Sequence, residues 1–252
     1  MKFVRFQQGA AIRYGVLEGE NIRVVEGDIF GKWAMGNQVV KPDTVKLLAP
    51  CAPSKAVCIG LNYHGHAKEM KIDPPKEPLM FLKPSTCLAH PGGAVEYPPL
   101  SQNLHFEAEL AVVIGKQARH VPAAAAHDYI LGYTCANDVT ARDIQMKDGQ
   151  WTRGKSFDTF MPLGPCIVTD IDPANVDLKL YLNGEVKQAS NTGDLIFKVE
   201  ELVAFASQVM TLYPGDVILT GTPAGVGPMQ LGDTVAVELA GIGRLENTIV
   251  KG

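Results

Sequence analysis

A chain of 252 residues with 46% hydrophobic and 20% charged residues has the balance of an ordinary globular protein, long enough to bury a sizeable core. A net charge of −4 gives no electrostatic basis for binding nucleic acid or an anionic membrane, and no apolar run approaches a membrane span. The start Met1-Lys2-Phe3-Val4-Arg5 does not lead into a signal-peptide core, and five cysteines at unpaired spacings point to reduced core thiols and a cytoplasmic setting.

Residues 1–30 read as short strands between turns at Gln8-Gly9, Glu18-Gly19 and Glu26-Gly27, which predicts a small β-meander. Pro50 and Pro53 mark a boundary, dividing the chain into a small N-terminal β subdomain over 1–49 and a larger catalytic domain over 50–252. Residues 55–60 form a short strand. From 62 to 78 the sequence is polar, with one helical turn and then Pro74, Pro75 and Pro78. Such a segment has little apolar area to bury, so it is expected to be a lid. Residues 79–82 return to β, and a Gly/Pro-rich loop runs to Pro99.

An acidic strand over 105–115 comes next, then a short helix near 122–129. A β run over 131–136 ends at Asn137-Asp138 and leads into a helix over 139–147. Residues 178–182 and 185–188 flank Asn183-Gly184, a type I′ hairpin signal. Residues 199–210 carry helical periodicity and make the longest predicted helix. Strands over 217–220, 234–239 and 244–250 close the chain. Strands dominate and helices do not alternate with them regularly, so the fold class is α+β.

Glu107 and Glu109 lie two apart in a run that is apolar from Leu110 to Ile114. Alternation puts both on one strand face, roughly 7 Å apart at the backbone. Two such carboxylates repel each other and resist burial, so they need a shared proton, a cationic side chain or a metal ion. Oxygen ligands favour Mg²⁺, Mn²⁺ or Ca²⁺ over Zn²⁺, and an exposed acidic face is the plainer reading. Asp138 is either a helix N-cap or a third carboxylate, the latter if the strands containing Glu109 and Ala136 pair.

His66 and Glu69 share a helical face, so Glu69 can hold the imidazole as a proton acceptor; a solvated surface pair is the plainer reading. His64-Gly65-His66 lacks supporting ligands for zinc. Residues 149–156 match a P-loop letter for letter, but no buried strand precedes them and 157–162 will not make a helix, so nucleotide binding is not expected. Lys155 stands out there as a cation in a loop able to close on an anionic substrate. Gly221-Thr222-Pro223 follows a strand and either presents backbone N–H groups to a carboxylate or is a tight turn.

Gly60-Leu61-Asn62-Tyr63, His66-x-x-Glu69, Phe81-Leu82-Lys83-Pro84, Glu107-x-Glu109, residues 137–143, Lys155-Ser156-Phe157-Asp158 and Gly221-Thr222-Pro223 occur in this order. Over residues 50–250 the chain thereby resembles the fumarylacetoacetate hydrolase family. The resemblance implies a β-rich rolled mixed-sheet core with few helices, and a homodimer. It also implies Mg²⁺ or Mn²⁺ held at Glu107, Glu109 and Asp138, a lid carrying the pair His66 and Glu69, and a substrate-contacting Lys155. Residues 138–145 and 155–158 are similar to acylpyruvate hydrolases and oxaloacetate decarboxylases. Residues 107–121 and 194–221 resemble the isomerase/decarboxylase of homoprotocatechuate breakdown, and residues 1–50 carry no motif of the family.

The expectation is an enzyme that cleaves the C3–C4 bond of a small 2-oxo acid or dicarboxylate through a metal-stabilised enolate, with His66 activating water for hydrolysis. Arg142, Gln145, Lys155 and Thr222 are the candidate substrate contacts. Isomerisation of the 5-carboxymethyl-2-hydroxymuconate type is the alternative reaction. A catalytically silent metal-binding protein is the alternative outside enzymology.

Overall fold

Every residue from Ala108 to Ile114 is buried, so this run can only be an interior strand covered on both faces. The computed structural model describes residues 1–252 and bears this out. The N-terminal stretch forms β1 (Lys2–Gln8), β2 (Ala11–Glu18), β3 (Asn21–Gly27), β4 (Trp33–Val40) and β5 (Lys46–Leu48). Then come β6 (Lys55–Gly60), α1 (His64–Met70), β7 (Leu79–Pro84), β8 (Leu88–Ala89), β9 (Ala94–Tyr97), β10 (Leu104–Phe106) and β11 (Ala108–Ile114). The middle of the chain makes β12 (Ile130–Asn137), β13 (Thr140–Ala141), α2 (Arg142–Asp148), α3 (Thr152–Lys155) and β14 (Met161–Val168). The remainder is β15 (Asp177–Leu182), β16 (Glu185–Asn191), α4 (Val199–Val209), β17 (Val217–Leu219), β18 (Gly227–Met229), β19 (Thr234–Leu239) and β20 (Gly243–Lys251).

A mixed twelve-stranded sheet runs in the order β4-β3-β2-β1-β14-β12-β11-β17-β6-β7, with β5 on β1 and β8 on β14. A five-stranded sheet, β16-β15-β19-β20-β9, and a small one, β13-β10-β18, complete the β-rich α+β fold. Strand alternation sorts β11 between two cores: Leu110, Val112 and Ile114 pack with Leu178, Leu180, Val237 and Leu245 of the five-stranded sheet. Ala111 and Val113 face Phe3, Val16, Met161 and Ile167 on the other side. Each Val or Leu removed from water there contributes roughly 1.5–3 kcal/mol before chain entropy is counted. The strands of the 1–49 segment continue the large sheet, since β1 pairs antiparallel with β14.

Several predicted elements differ in the structure. β4 and β14 had no counterpart in the pattern, and β14 lies in the sheet interior although Pro162, Gly164 and Pro165 read as strand breakers. Gly132 lets β12 approach it closely, because a Cβ there would lie 2.4 Å from the carbonyl oxygen of Val168. The helix expected over 139–147 starts only at Arg142, since Thr140 and Ala141 pair with β10 instead. The expected polar lid is packed at its base: Asn62 and Tyr63 are fully buried, His66 and Ala67 nearly so, His64 between them is exposed, and continuous exposure begins at Lys68. Asn62 is held because its side chain donates to the carbonyls of Thr220 and Phe197 and accepts from the Phe197 N–H. No helix is long and apolar enough to cross a membrane.

Candidate active site

β11 and β12 pair with Glu109 opposite Ala136, which brings Asp138 beside the start of β11, its N–H donating to the Glu107 carbonyl. Glu107 is not in a strand. It is the link at which the chain passes from β10 in the small sheet to β11 in the large one. Its N–H is caught by the Asn137 side chain at 2.9 Å, and the next N–H, of Ala108, by Gln188 at 2.9 Å. The carboxylates of Glu107, Glu109 and Asp138 converge, with one oxygen of each within 4.8 Å of the others, all three residues buried. Asp138 is therefore no cap: Ala141 occupies the N-cap of α2.

Three cations surround this cluster. The Lys155 ammonium lies 2.8 Å from both Glu107 Oε2 and Asp138 Oδ2. Arg142 donates to Glu107 Oε1 and to Gln145 Oε1. Lys83, fully buried, comes within 2.7 Å of Asp138 Oδ1. Its three protons point elsewhere, to the carbonyls of Val139, Lys155 and Phe160, so Oδ1 receives charge but no donated hydrogen. Lys155 corrects the picture of a loop cation waiting for substrate: it ends α3 and is only 2% exposed. The P-loop-like segment follows helix α2 rather than a strand, as its rejection requires.

The three carboxylates are not equivalent. Burial pushes Glu107 upward, but Lys155 and Arg142 outweigh it and lower the carboxyl to about 2. Burial, then the Asp138 and Glu107 charges, push Glu109 well above the usual carboxylate range. A single N–H, that of Gly221 at 2.6 Å, donates to it. Burial works against the Lys155 charge, yet Asp138 and Glu107 raise its pKa. The donor set therefore fits a hard divalent cation: it is all oxygen, buried, and short of hydrogen-bond donors at Glu109 and at Asp138 Oδ1.

A cavity of about 230 Å³ opens onto Glu107 and Asp138 and is also lined by His66, Arg142, Gln145, Lys155 and Thr222. Glu109 backs the cluster from behind this lining. His66 Nδ1 is 3.0 Å from Glu69 Oε2, and Glu69 Oε1 accepts the Gly225 N–H at 3.0 Å. The Gly221–Gly225 loop thus gives these two N–H groups to protein carboxylates rather than to a substrate. His64 is exposed and outside the carboxylate cluster. A hollow over β2–β4 is of similar size, about 270 Å³, but offers one carboxylate, Glu26.

Sequence reasoning gave no role to four residues of this site, although Lys83 and Asn137 lie in segments that carry the resemblance. Lys83 is one, although a lysine between apolar strand positions is itself a signal of a buried cation. Asn137 and Gln188 carry no local signal, since their partners are distant in the chain. Trp151 is the fourth: it stands edge-on to Phe81, with ring centroids 5.3 Å apart, and walls the cavity. Gly60 leaves room for this ring, since a Cβ there would lie 2.5 Å from it and Trp151 would have to shift.

A family model described as fumarylacetoacetate (FAA) hydrolase C-terminal matches residues 55–250, and a second, Rv2993c-like N-terminal, matches residues 1–50. A human mitochondrial oxaloacetate tautomerase is 45% identical over 225 residues, covering 84% of this chain and 72% of that protein. The crystal structure of a 2-hydroxyhepta-2,4-diene-1,7-dioate isomerase from Mycobacterium marinum is 44% identical with a TM-score of 0.93, covering 100% of this chain and 98% of its own. A maleylpyruvate hydrolase from Sphingobium, solved with manganese(II) and pyruvate, is 31% identical with a TM-score of 0.83 over the full length of both chains.

Proposed function

The chain belongs to the fumarylacetoacetate hydrolase family, whose members are enzymes, and on that premise we propose that it moves the C3 proton of small 2-oxo acids with the aid of Mg²⁺ or Mn²⁺. The observation that carries this reading is His66, which lines the same cavity as Glu107, Asp138 and the four candidate substrate contacts and has the more exposed Glu69 on its Nδ1. Bound by Glu107, Glu109 and Asp138, the cation would draw electron density from the 2-oxo carbonyl and acidify the neighbouring C–H bond. Glu69 accepts the Nδ1 proton of His66 and is itself held by Gly225, which leaves Nε2 with a lone pair. That lone pair takes the C3 proton, the C–H electrons become the C2–C3 π bond, and the carbonyl pair moves onto its oxygen. Returned to this oxygen the proton gives an enol; returned to a remote carbon of a conjugated acid it gives an isomer. Arg142 retains N–H groups beyond those given to Glu107 and Gln145 and offers them, with Thr222, to the substrate's carboxylate.

C3–C4 cleavage is the second reading, favoured by the hydrolase relative that holds manganese and pyruvate. There the C3–C4 electrons form the same π bond, with release of carbon dioxide or of an acyl group first attacked by water that His66 deprotonates. Oxaloacetate and an acylpyruvate, followed by proton NMR in D₂O with Mg²⁺, separate the two. Deuterium should enter C3 faster than pyruvate appears, and His66→Ala should slow entry on the order of 100-fold. Pyruvate formed without prior exchange would give precedence to cleavage. No change in any 2-oxo acid would leave a silent metal-binding protein.

A further inference from the structure

Gln188 is the one fully buried residue of β16, a strand otherwise open to solvent at the edge of the five-stranded sheet. A buried primary amide away from any cofactor must be matched by partners, and the identity of these partners carries the argument. Its Oε1 accepts the Ala108 N–H at 2.9 Å. Its Nε2 donates to Thr222 Oγ1 at 2.9 Å and to the Pro223 carbonyl at 2.8 Å. The first contact sits one residue beyond Glu107, at the point where the chain leaves one sheet for another. The other two fix the loop that delivers the Gly221 N–H to Glu109 and the Gly225 N–H to Glu69. Gly225 lies against the same strand, since a Cβ there would be 2.5 Å from the Lys187 carbonyl oxygen and 3.4 Å from Gln188 Cγ.

We infer that Gln188 is a positioning residue: one amide holds both the turn that presents Glu107 and the loop that presents Thr222, so the carboxylate cluster and the substrate wall keep one spacing. Without it, Ala108 N–H would be a buried donor with no partner, and the link between β10 and β11 would relax toward an ordinary strand or toward water. The five-stranded sheet thereby adds these hydrogen bonds to its apolar packing against β11. Gln188 itself does not line the cavity.

Gln188→Met preserves volume and removes both arms, whereas Gln188→Glu retains an acceptor for Ala108 and removes the amide donors. In the metal-free protein, amide exchange over residues 107–110 and 221–225 should accelerate at least about tenfold in Gln188→Met. Calorimetry should then find Mn²⁺ bound about 10–100-fold more weakly, the scale of losing a partner that orients a ligand. Gln188→Glu should restore Mn²⁺ affinity to within about threefold of the parent and slow exchange over 107–110 again, while 221–225 stays fast and KM for oxaloacetate is raised in both variants. A fall in melting temperature with exchange and Mn²⁺ affinity unchanged would make Gln188 a packing residue and overturn the inference. Equal loss of Mn²⁺ in both variants would overturn it as well. Should Gln188→Met not fold, Gln188→Glu decides alone, and uniform exchange across both segments counts against the inference. The Mn²⁺ comparison rests on the cation reading above, but the metal-free exchange does not. A parent protein that fails to bind Mn²⁺ would remove that reading and leave Gln188 to be judged by exchange.

Discussion

Strand β17 has a buried carboxylate centre at each end, and the two are built in opposite ways. At its start, Asp216 accepts from the N–H and hydroxyl of Ser54, the N–H groups of Lys55 and Tyr213, and the Lys55 ammonium. Burial pushes Asp216 upward, but the Lys55 hydrogen bond and those from Tyr213 and Ser54 prevail and lower its pKa. At the other end, Glu109 takes one N–H from Gly221, and burial together with the two further carboxylates it faces raises its pKa. The first anion is saturated by its own fold and staples β6 to β17. The second has lone pairs and no protein donors left to fill them. Donor count, more than burial or charge, separates a structural carboxylate from one that awaits a ligand.

Asp216→Ala is the strongest test of the saturated centre. It strands three backbone N–H groups and an ammonium, so urea unfolding should find the protein destabilised by roughly 3 kcal/mol or more. Mn²⁺ affinity of the folded fraction should stay the same; a matching loss of affinity would join the two centres that the comparison holds apart.

Glu109→Gln tests the open centre. Calorimetry should find Mn²⁺ bound more than about 100-fold more weakly, exceeding the 10–100-fold effect of changing a residue outside the ligand set. Its melting temperature should hold or rise, because an amide satisfies the Gly221 N–H without repelling Glu107 and Asp138. A clear fall in stability with Mn²⁺ still bound would mean that Glu109 is structural.

The smallest effect is in acid. The folded pKa of Asp216 lies below its unfolded value of about 3.9, so its stabilisation is complete above that unfolded value and disappears as pH falls through the folded one. The stability gap between the parent and Asp216→Asn should therefore be constant from pH 7 to about pH 5 and narrow below about pH 4. Urea titrations at three pH values measure it, and a gap that widens in acid would reverse the assigned sign.

Local pattern was enough to find most of the strands, because alternation and turn residues act over a few positions. The strand at Lys55–Gly60, the hairpin around Asn183-Gly184 and the helix at Val199–Val209 are all decided by near neighbours. β14 escaped notice for the converse reason: Pro162, Gly164 and Pro165 are poor strand formers taken alone, and pairing with β1 and β12 overrides them. The base of the supposed lid escaped notice because Asn62 is polar by type yet buried by its partners at Phe197 and Thr220.

By itself, then, the order of residues determined a β-rich chain with two carboxylates too close together in an apolar run, a third at the end of another strand, and a histidine with an acidic partner one helical turn away. Those are properties of short spacings, and spacing is what a sequence contains. Tertiary structure alone decided that Lys155 stands between Glu107 and Asp138, that Lys83 spends its protons on three carbonyls, and that Gln188 reaches Ala108 across eighty positions. Each of these depends on which distant backbone groups are left without partners once the sheets have formed, a quantity defined only in the folded chain.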